Sequence, residues 1–371
     1  MSPTRYLPPL LVFLISLLLL LFPFSPSMVY SSTESQIYTA RVEQVLEEGE
    51  VTLGEVTQPY QRVRVRLLEG PYAQVPMELE YGRQQIRADQ TPLRPGDRIL
   101  VAITKTADNL VQAHFVEHVR TPALFWLWVV FVLAILLLSA WKGLRSLLSM
   151  LFSLLVIIRY IIPAILGGAD PLWVSISGSA LLLGSTLYLT YGWNPKTHAS
   201  VLSMIGVLLL AGVLSDLFLT FARLSGQGDE NALFLLQLMP GRIQLRGLLL
   251  GGMLIGALGV LDDLVTTQAA AVFEIYAANP ALSARELYRR AMRVGQDHVA
   301  ATVNTLILAY AGASLPMLLL FSSGGGNYLR LLNYSFVAEE IVRTLVGSLA
   351  LIAAVPLTTG IAIGMAKRTH A

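Results

Sequence analysis

GLLLGGMLIGALGVLDDLVTTQAAA, residues Gly247–Ala271, sets two adjacent carboxylates inside a run long and apolar enough to cross a bilayer. An ionised Asp deep in hydrocarbon costs about 2.5–3.5 kcal/mol on insertion scales, so acids at that depth face a bundle interior, a partner or a wet cavity. Alternate steps of four and three from Gly252 reach Gly256, Gly259, Asp263, Thr266 and Ala270, one stripe of small and polar side chains on a helix. Gly252 and Gly256 form a small-xxx-small pair that admits a close neighbour. Asp262 lies about 100° round the helix from Asp263, within a turn of Gly259 and Thr266.

The rest of the chain supports a membrane reading. Of 371 residues, 54% are hydrophobic and 13% charged, and mean hydropathy is +0.62, which excludes an ordinary soluble domain. The net charge of +2 says little about partners, and zero cysteines exclude disulfides and thiolate zinc sites. No basic block interleaved with aromatics suggests a nucleic-acid surface.

Leu7–Phe24 is an apolar run read as either a cleaved signal peptide or a retained anchor; the lack of an A-x-A-like cleavage site favours the anchor. Residues 36–120 are the only substantial polar region. Strands are expected at Ile37–Leu46, Gln61–Leu68, Gln74–Tyr81, Asp97–Thr104 and Leu110–Val119, with Val63, Val65 and Leu67 facing one way and Arg62, Arg64 and Arg66 the other. Five short strands suit a small OB- or SH3-like barrel, its arginines forming a solvated face.

After Pro122, apolar spans are expected near Leu124–Trp141, Leu144–Leu166, Leu172–Tyr191, Ala199–Phe221, Leu248–Tyr276, Val299–Phe321 and Phe336–Met365, the last kinked or broken at Pro356. The expected fold is therefore mainly α: a polytopic helix bundle of about eight spans, with a small extracytoplasmic β-barrel-like domain between the first and second. The domains are 1–35 (anchor or signal), 36–120 (β-domain) and 121–371 (seven spans). Lys142, Arg145, Lys196, Arg285, Arg289, Arg290, Arg293, Lys367 and Arg368 fall on one side of this topology. That side is expected to be the cytoplasm of a bacterial plasma-membrane protein, with both termini inside. Ser283–Val299, with a Ser283 cap and Glu286 three residues on, reads as a basic cytoplasmic helix against acidic headgroups. In the external Arg223–Arg246 loop, the apolar centre of ENALFLLQLMPGR is expected to dip into the interface or form a re-entrant turn.

The site is expected around Asp262, Asp263, Thr266, Thr267 and Gln268, completed by Asn304 and Thr305 of the seventh span and Glu340 of the eighth. Glu339 and Arg343 have the spacing of a structural ion pair; Arg159 and Asp216 are candidate counter-charges. His298 is placed at the cytoplasmic membrane surface. Carboxylates with hydroxyl and amide oxygens suit a proton or a hard cation, with Asp262 and Asp263 the ligands of any metal. The leading reading is an ion- or proton-coupled transporter, whose candidate partners are the bilayer, a small ion or solute and a second copy of the chain. The alternative is a non-transporting scaffold or signalling component that binds an extracytoplasmic protein through residues 36–120. Enzyme chemistry is not expected: the glycine-Asp signature of intramembrane proteolysis and a second acidic cluster for Mg²⁺ are both missing, and no cofactor is implied.

Three segments carry a family resemblance: GALGVLDDLVTTQ (Gly256–Gln268), GQDHVAATVNTLILAYAGASLPMLLLF (Gly295–Phe321) and EEIVRTLVGSLALIAAVPLTTGIA (Glu339–Ala362). With the β-domain and its PGDRILV turn, the chain resembles the YibE/F-like family of bacterial multi-pass membrane proteins. The resemblance implies an eight-span architecture and assigns no substrate.

Overall fold

A computed structural model describes residues 36–83, 91–105, 111–323 and 328–369. The expected segment Leu7–Phe24 lies outside the described residues. The chain divides into two compact units at Leu138–Ser139.

The first unit contains β1 (Gln36–Leu53), β2 (Val56–Leu67), β3 (Pro76–Tyr81), β4 (Arg98–Lys105) and β5 (Val111–His118). They form one antiparallel sheet in the order β3-β2-β1-β4-β5. The sheet curls until its edge strands meet, with the Tyr81 and Phe115 rings 4.9 Å apart, giving a nearly closed barrel. Register shifts in β1 between Val42 and Gln44 and between Val45 and Glu47 supply the extra bend that curling requires. Val63, Val65 and Leu67 are buried with Val42, Leu79, Ile99 and Val101, as their alternation predicts. On the opposite face Arg62 pairs with Glu47, Arg64 with Glu78 and Arg66 with Glu43, each across to a neighbouring strand. The arginines are thus a solvated face laced by ion pairs.

β1 and β2 run well past their expected ends, because the charged EEGE stretch hides a long hairpin. Leu53 pairs with Val56 across a two-residue turn in which Gly54 takes φ +63°. Before β4, Gly96 at φ +99° shapes the Pro-Gly turn, and Asp97 Oδ2 accepts from Arg94 N at 2.7 Å.

The helices are α1 (Thr121–Val156), a π-helical turn Ile157–Ile161, α2 (Ile162–Leu166), α3 (Pro171–Tyr191), α4 (Pro195–Phe221), α5 (Glu230–Leu238), α6 (Leu245–Ala278), α7 (Ala284–Ala313), α8 (Leu315–Ser323), α9 (Tyr328–Leu331) and α10 (Ser335–Thr369). Their starts follow capping chemistry: Asp170 accepts from Leu172 N at 2.8 Å, Asn194 from Thr197 N at 3.0 Å, and both helices open on proline. Ser283 caps α7 by accepting from Glu286 N at 3.2 Å. Glu286 then pairs with Arg289 and Arg290, whose hydrogen bonds hold its carboxyl below the usual range.

Among the described residues, five helical stretches are long and apolar enough to cross a membrane: Thr121–Leu166, Pro171–Tyr191, Pro195–Phe221, Leu245–Ala278 and Ser335–Arg368. The eight expected spans are not confirmed: the first lies outside the described residues, and the described helices supply these five stretches. The two spans expected between Leu124 and Leu166 lie on a 46-residue helical stretch. The stretch is broken at Ala140, where φ is 43° and ψ −121°. The expected Val299–Phe321 span is divided at Ser314, between α7 and α8. The basic segment before it is no separate surface helix: α7 runs unbroken from Ala284, with Leu287, Ala291 and Gly295 buried. The Arg223–Arg246 connection contains α5, whose N-cap Asp229 accepts from Asn231 N. α10 continues through Pro356 without a break.

The helical core gathers α4, α6 and α10. Met204, Val207 and Ala211 pack against Leu261, Leu264 and Val265 and against Ala350, Leu351, Ala354 and Val355. α7 lies against α10 and α6, and α3 against α6.

Candidate functional site

The helical repeat of α6 turns its polar residues to different surroundings. Leu261, Leu264 and Val265 enter the core, which leaves Asp262 half-buried at its margin and Asp263 exposed. The Asp262 Oδ1 atom is buried and has no hydrogen-bond partner among the described residues. An acceptor enclosed this way forfeits its hydration unless a proton, ion or water reaches it.

The threonines satisfy themselves on their own helix. Thr266 Oγ1 donates to the Asp262 carbonyl at 2.8 Å and approaches the Asp263 carbonyl at 3.1 Å; Thr267 Oγ1 donates to the Asp263 carbonyl at 2.7 Å. Thr267 also reaches His298 Nδ1 of α7 at 3.3 Å. Gln268 is buried where three helices meet. Its Nε2 donates to the Ala291 carbonyl of α7 at 3.0 Å and to Thr359 Oγ1 of α10 at 2.8 Å. Gly295 permits that approach: a Cβ there would stand 2.3 Å from Val355 Cγ1 and 2.8 Å from Gln268 Oε1.

These contacts set the levels of the helices. With Thr267 opposite His298 and Gly256 facing the Tyr310 hydroxyl, α6 and α7 run antiparallel and Asn304 is level with Leu261. Asn304 and Thr305 are exposed; Thr305 donates to the Ala301 carbonyl, and no hydrogen bond joins Asn304 to either aspartate. Glu340 belongs elsewhere. With Gln268 opposite Thr359 and Leu249, Leu250 and Met253 against Ala338 and Val342, it is level with Leu249, about 20 Å of helix from Asp262.

The expected Glu339–Arg343 pair is corrected. Arg343 pairs with Glu340 at 3.5 Å, while buried Glu339 accepts from the backbone amides of Gly226 at 3.0 Å and Gly228 at 3.2 Å. Only glycine fits this nest: Gly226 takes φ +82°, and a Cβ on Gly228 would stand 2.6 Å from Phe336 Cα. The GQGD segment before α5 was the sequence signal for it. Asp216 pairs with Arg246 at 2.7 Å. Arg159 is exposed in the π-helical turn with no ion-pair partner among the described residues. No group of three or more His, Asp or Glu side chains among the described residues is arranged to hold a metal.

A family model described as YibE/F-like protein matches residues 127–368, the greater part of the chain, including both aspartates, the Gln268 junction and the Glu339 nest. The chain belongs to the YibE/F-like family. No curated protein and no solved structure matches it. As a YibE/F-like protein with several long apolar helices, it is an integral membrane protein.

Proposed function

We propose that this YibE/F-like protein is an ion- or proton-coupled transporter whose coupling site is Asp262, with Asp263 beside it and Asn304 across on α7. The observation that carries this reading is the buried, unpartnered Oδ1 of Asp262 inside a membrane-spanning helix. A carboxylate so placed takes up a proton or a hard cation in preference to standing alone, and releases it when water gains access. The exposed Asp263 supplies a second acceptor one residue away. Gln268, Thr359 and Gly295 hold the three helices together below the site. The protein sits in the bacterial plasma membrane with both termini cytoplasmic and residues 36–120 outside.

The test uses the full chain in liposomes. Proton and monovalent-cation flux under an imposed pH gradient is followed with an entrapped indicator dye, and Asp262→Asn is expected to abolish it while thermal unfolding is preserved. Undiminished flux in that variant would remove Asp262 from the mechanism.

A second reading, a scaffold acting through the β-domain, is supported by that domain's own core and by its strand order, with β1 central and β3 meeting β5, the order of OB barrels. It predicts no flux in either protein, and recovery of a partner that depends on residues 36–120.

A further inference from the structure

We infer that a groove between α3 and α4, closed at its back by α6, is a specific site for one zwitterionic phospholipid bearing a primary ammonium, a phosphatidylethanolamine. The groove has a volume of about 690 Å³, within the roughly 300–1,000 Å³ of sites that enclose a small ligand. Its walls are apolar along most of their length: Leu172 and Ile176 of α3, Leu209 and Val213 of α4, and Leu254 of α6. Apart from Ser179 on α3, the polar groups gather at one end. There Asp216 and Thr220 line the groove, and Arg246 reaches Asp216 Oδ1 at 2.7 Å and also donates to Thr220 Oγ1.

That end lies at the last turns of α4 and the first turn of α6, hence at headgroup depth. The ion pair is half-exposed, with side-chain exposures of 43% for Arg246 and 63% for Asp216, so both charges remain open to a ligand. A cation and an anion side by side complement a zwitterion. The guanidinium takes the lipid phosphate, Asp216 takes the ammonium, and an acyl chain runs down the apolar wall. A lipid with only negative charge meets the same arginine but is repelled by Asp216. A membrane partner helix would fill the apolar wall and leave the charge pair without a role.

The experiment takes full-length protein, purified in a nonionic detergent and stripped of lipid, and adds phosphatidylethanolamine or phosphatidylglycerol with identical chains in mixed micelles while Tm is followed. The ethanolamine lipid is expected to raise Tm saturably and the glycerol lipid to raise it less. Ala180→Trp, at an exposed position lining the groove, is expected to abolish the difference while the lipid-free Tm is unchanged. Should that variant fold poorly, Leu209→Trp on the facing wall serves the same purpose. Asp216→Asn is expected to make the two lipids equivalent while the groove still binds. Equal shifts by both lipids in the wild type would reduce the effect to annular lipid and overturn the site. So would an undiminished preference in both tryptophan variants. The chain has no native cysteine, so Leu209→Cys reports a second copy directly: disulfide-linked dimers that form in lipid would show that the groove is covered by protein and reject the lipid.

Discussion

Gly295 shows how one missing side chain holds three helices at their spacing. A methyl group at this position would meet Val355 Cγ1 at 2.3 Å, a branched side chain held in the core with little freedom to retreat. Gly295→Ala is therefore expected to destabilise the protein by roughly 1–3 kcal/mol, the usual cost of overpacking. Gly252→Ala is the control: nothing lies within 4 Å of its added Cβ, and its effect should fall within about 0.5 kcal/mol of zero. Unfolding in detergent measures both, and equal effects would contradict the packing account. The sequence around each does not reveal this difference: Gly252 lies in an apolar run and Gly295 in a polar one. What separates them is a neighbour 60 residues further along the chain.

Among the elements, the α4–α5 connection and α10 depend on each other through Glu339. Glu339→Ala would leave the Gly226 and Gly228 amides without their acceptor at a cost of about 1.5–3 kcal/mol, the range for hydrogen bonds to charged groups. Glu339→Gln keeps a carbonyl acceptor and should cost less. Limited proteolysis and hydrogen exchange are expected to find residues 225–229 opened in the alanine variant and protected in the glutamine variant. The helical spacing of Glu339 and Arg343 predicted an ion pair that the fold does not use. Spacing along one helix places two side chains on a face but is silent about a loop that brings stronger donors from 111 residues away. Similarly, the polar composition of Ser283–Val299 suggested a helix apart from the spans, whereas Leu287 and Ala291 bury one face and keep α7 continuous.

At the scale of the molecule, the β-domain has its own hydrophobic core, so residues 36–120 expressed alone are expected to unfold cooperatively in urea. Its stability should also carry a small acid dependence. Glu69 accepts from Thr39 N at 2.8 Å, and hydrogen bonding to Thr39 holds the Glu69 carboxyl below its ordinary range. A carboxyl depressed in the folded state contributes stability above its unfolded pKa, and loses it as pH falls through the lower folded value. The urea midpoint should therefore decline from about pH 6 to about pH 3, less so in Glu69→Gln. Identical pH profiles would remove Glu69 from the account. In the helical unit, the five long apolar stretches lay open to a hydropathy reading. The break at Ala140 lies beside the Lys142–Arg145 step where one expected span ended and the next began, whereas the division at Ser314 falls inside an expected span.

The sequence alone determined the class of this protein. Long apolar runs must form helices in a membrane because their backbone groups find no other partners there, and period-two alternation must form a sheet with one buried face. It also marked Asp262 and Asp263, since charge inside such a run is costly wherever the helix sits. Tertiary structure decided which of the two acids is enclosed, and separated Glu340 from them by about 20 Å of helix. It also gave Glu339 a loop to hold and gave Asp216 to Arg246. The physical reason is the same in each case. A helix fixes direction only about its own axis, and burial and pairing depend on which neighbours arrive from distant parts of the chain.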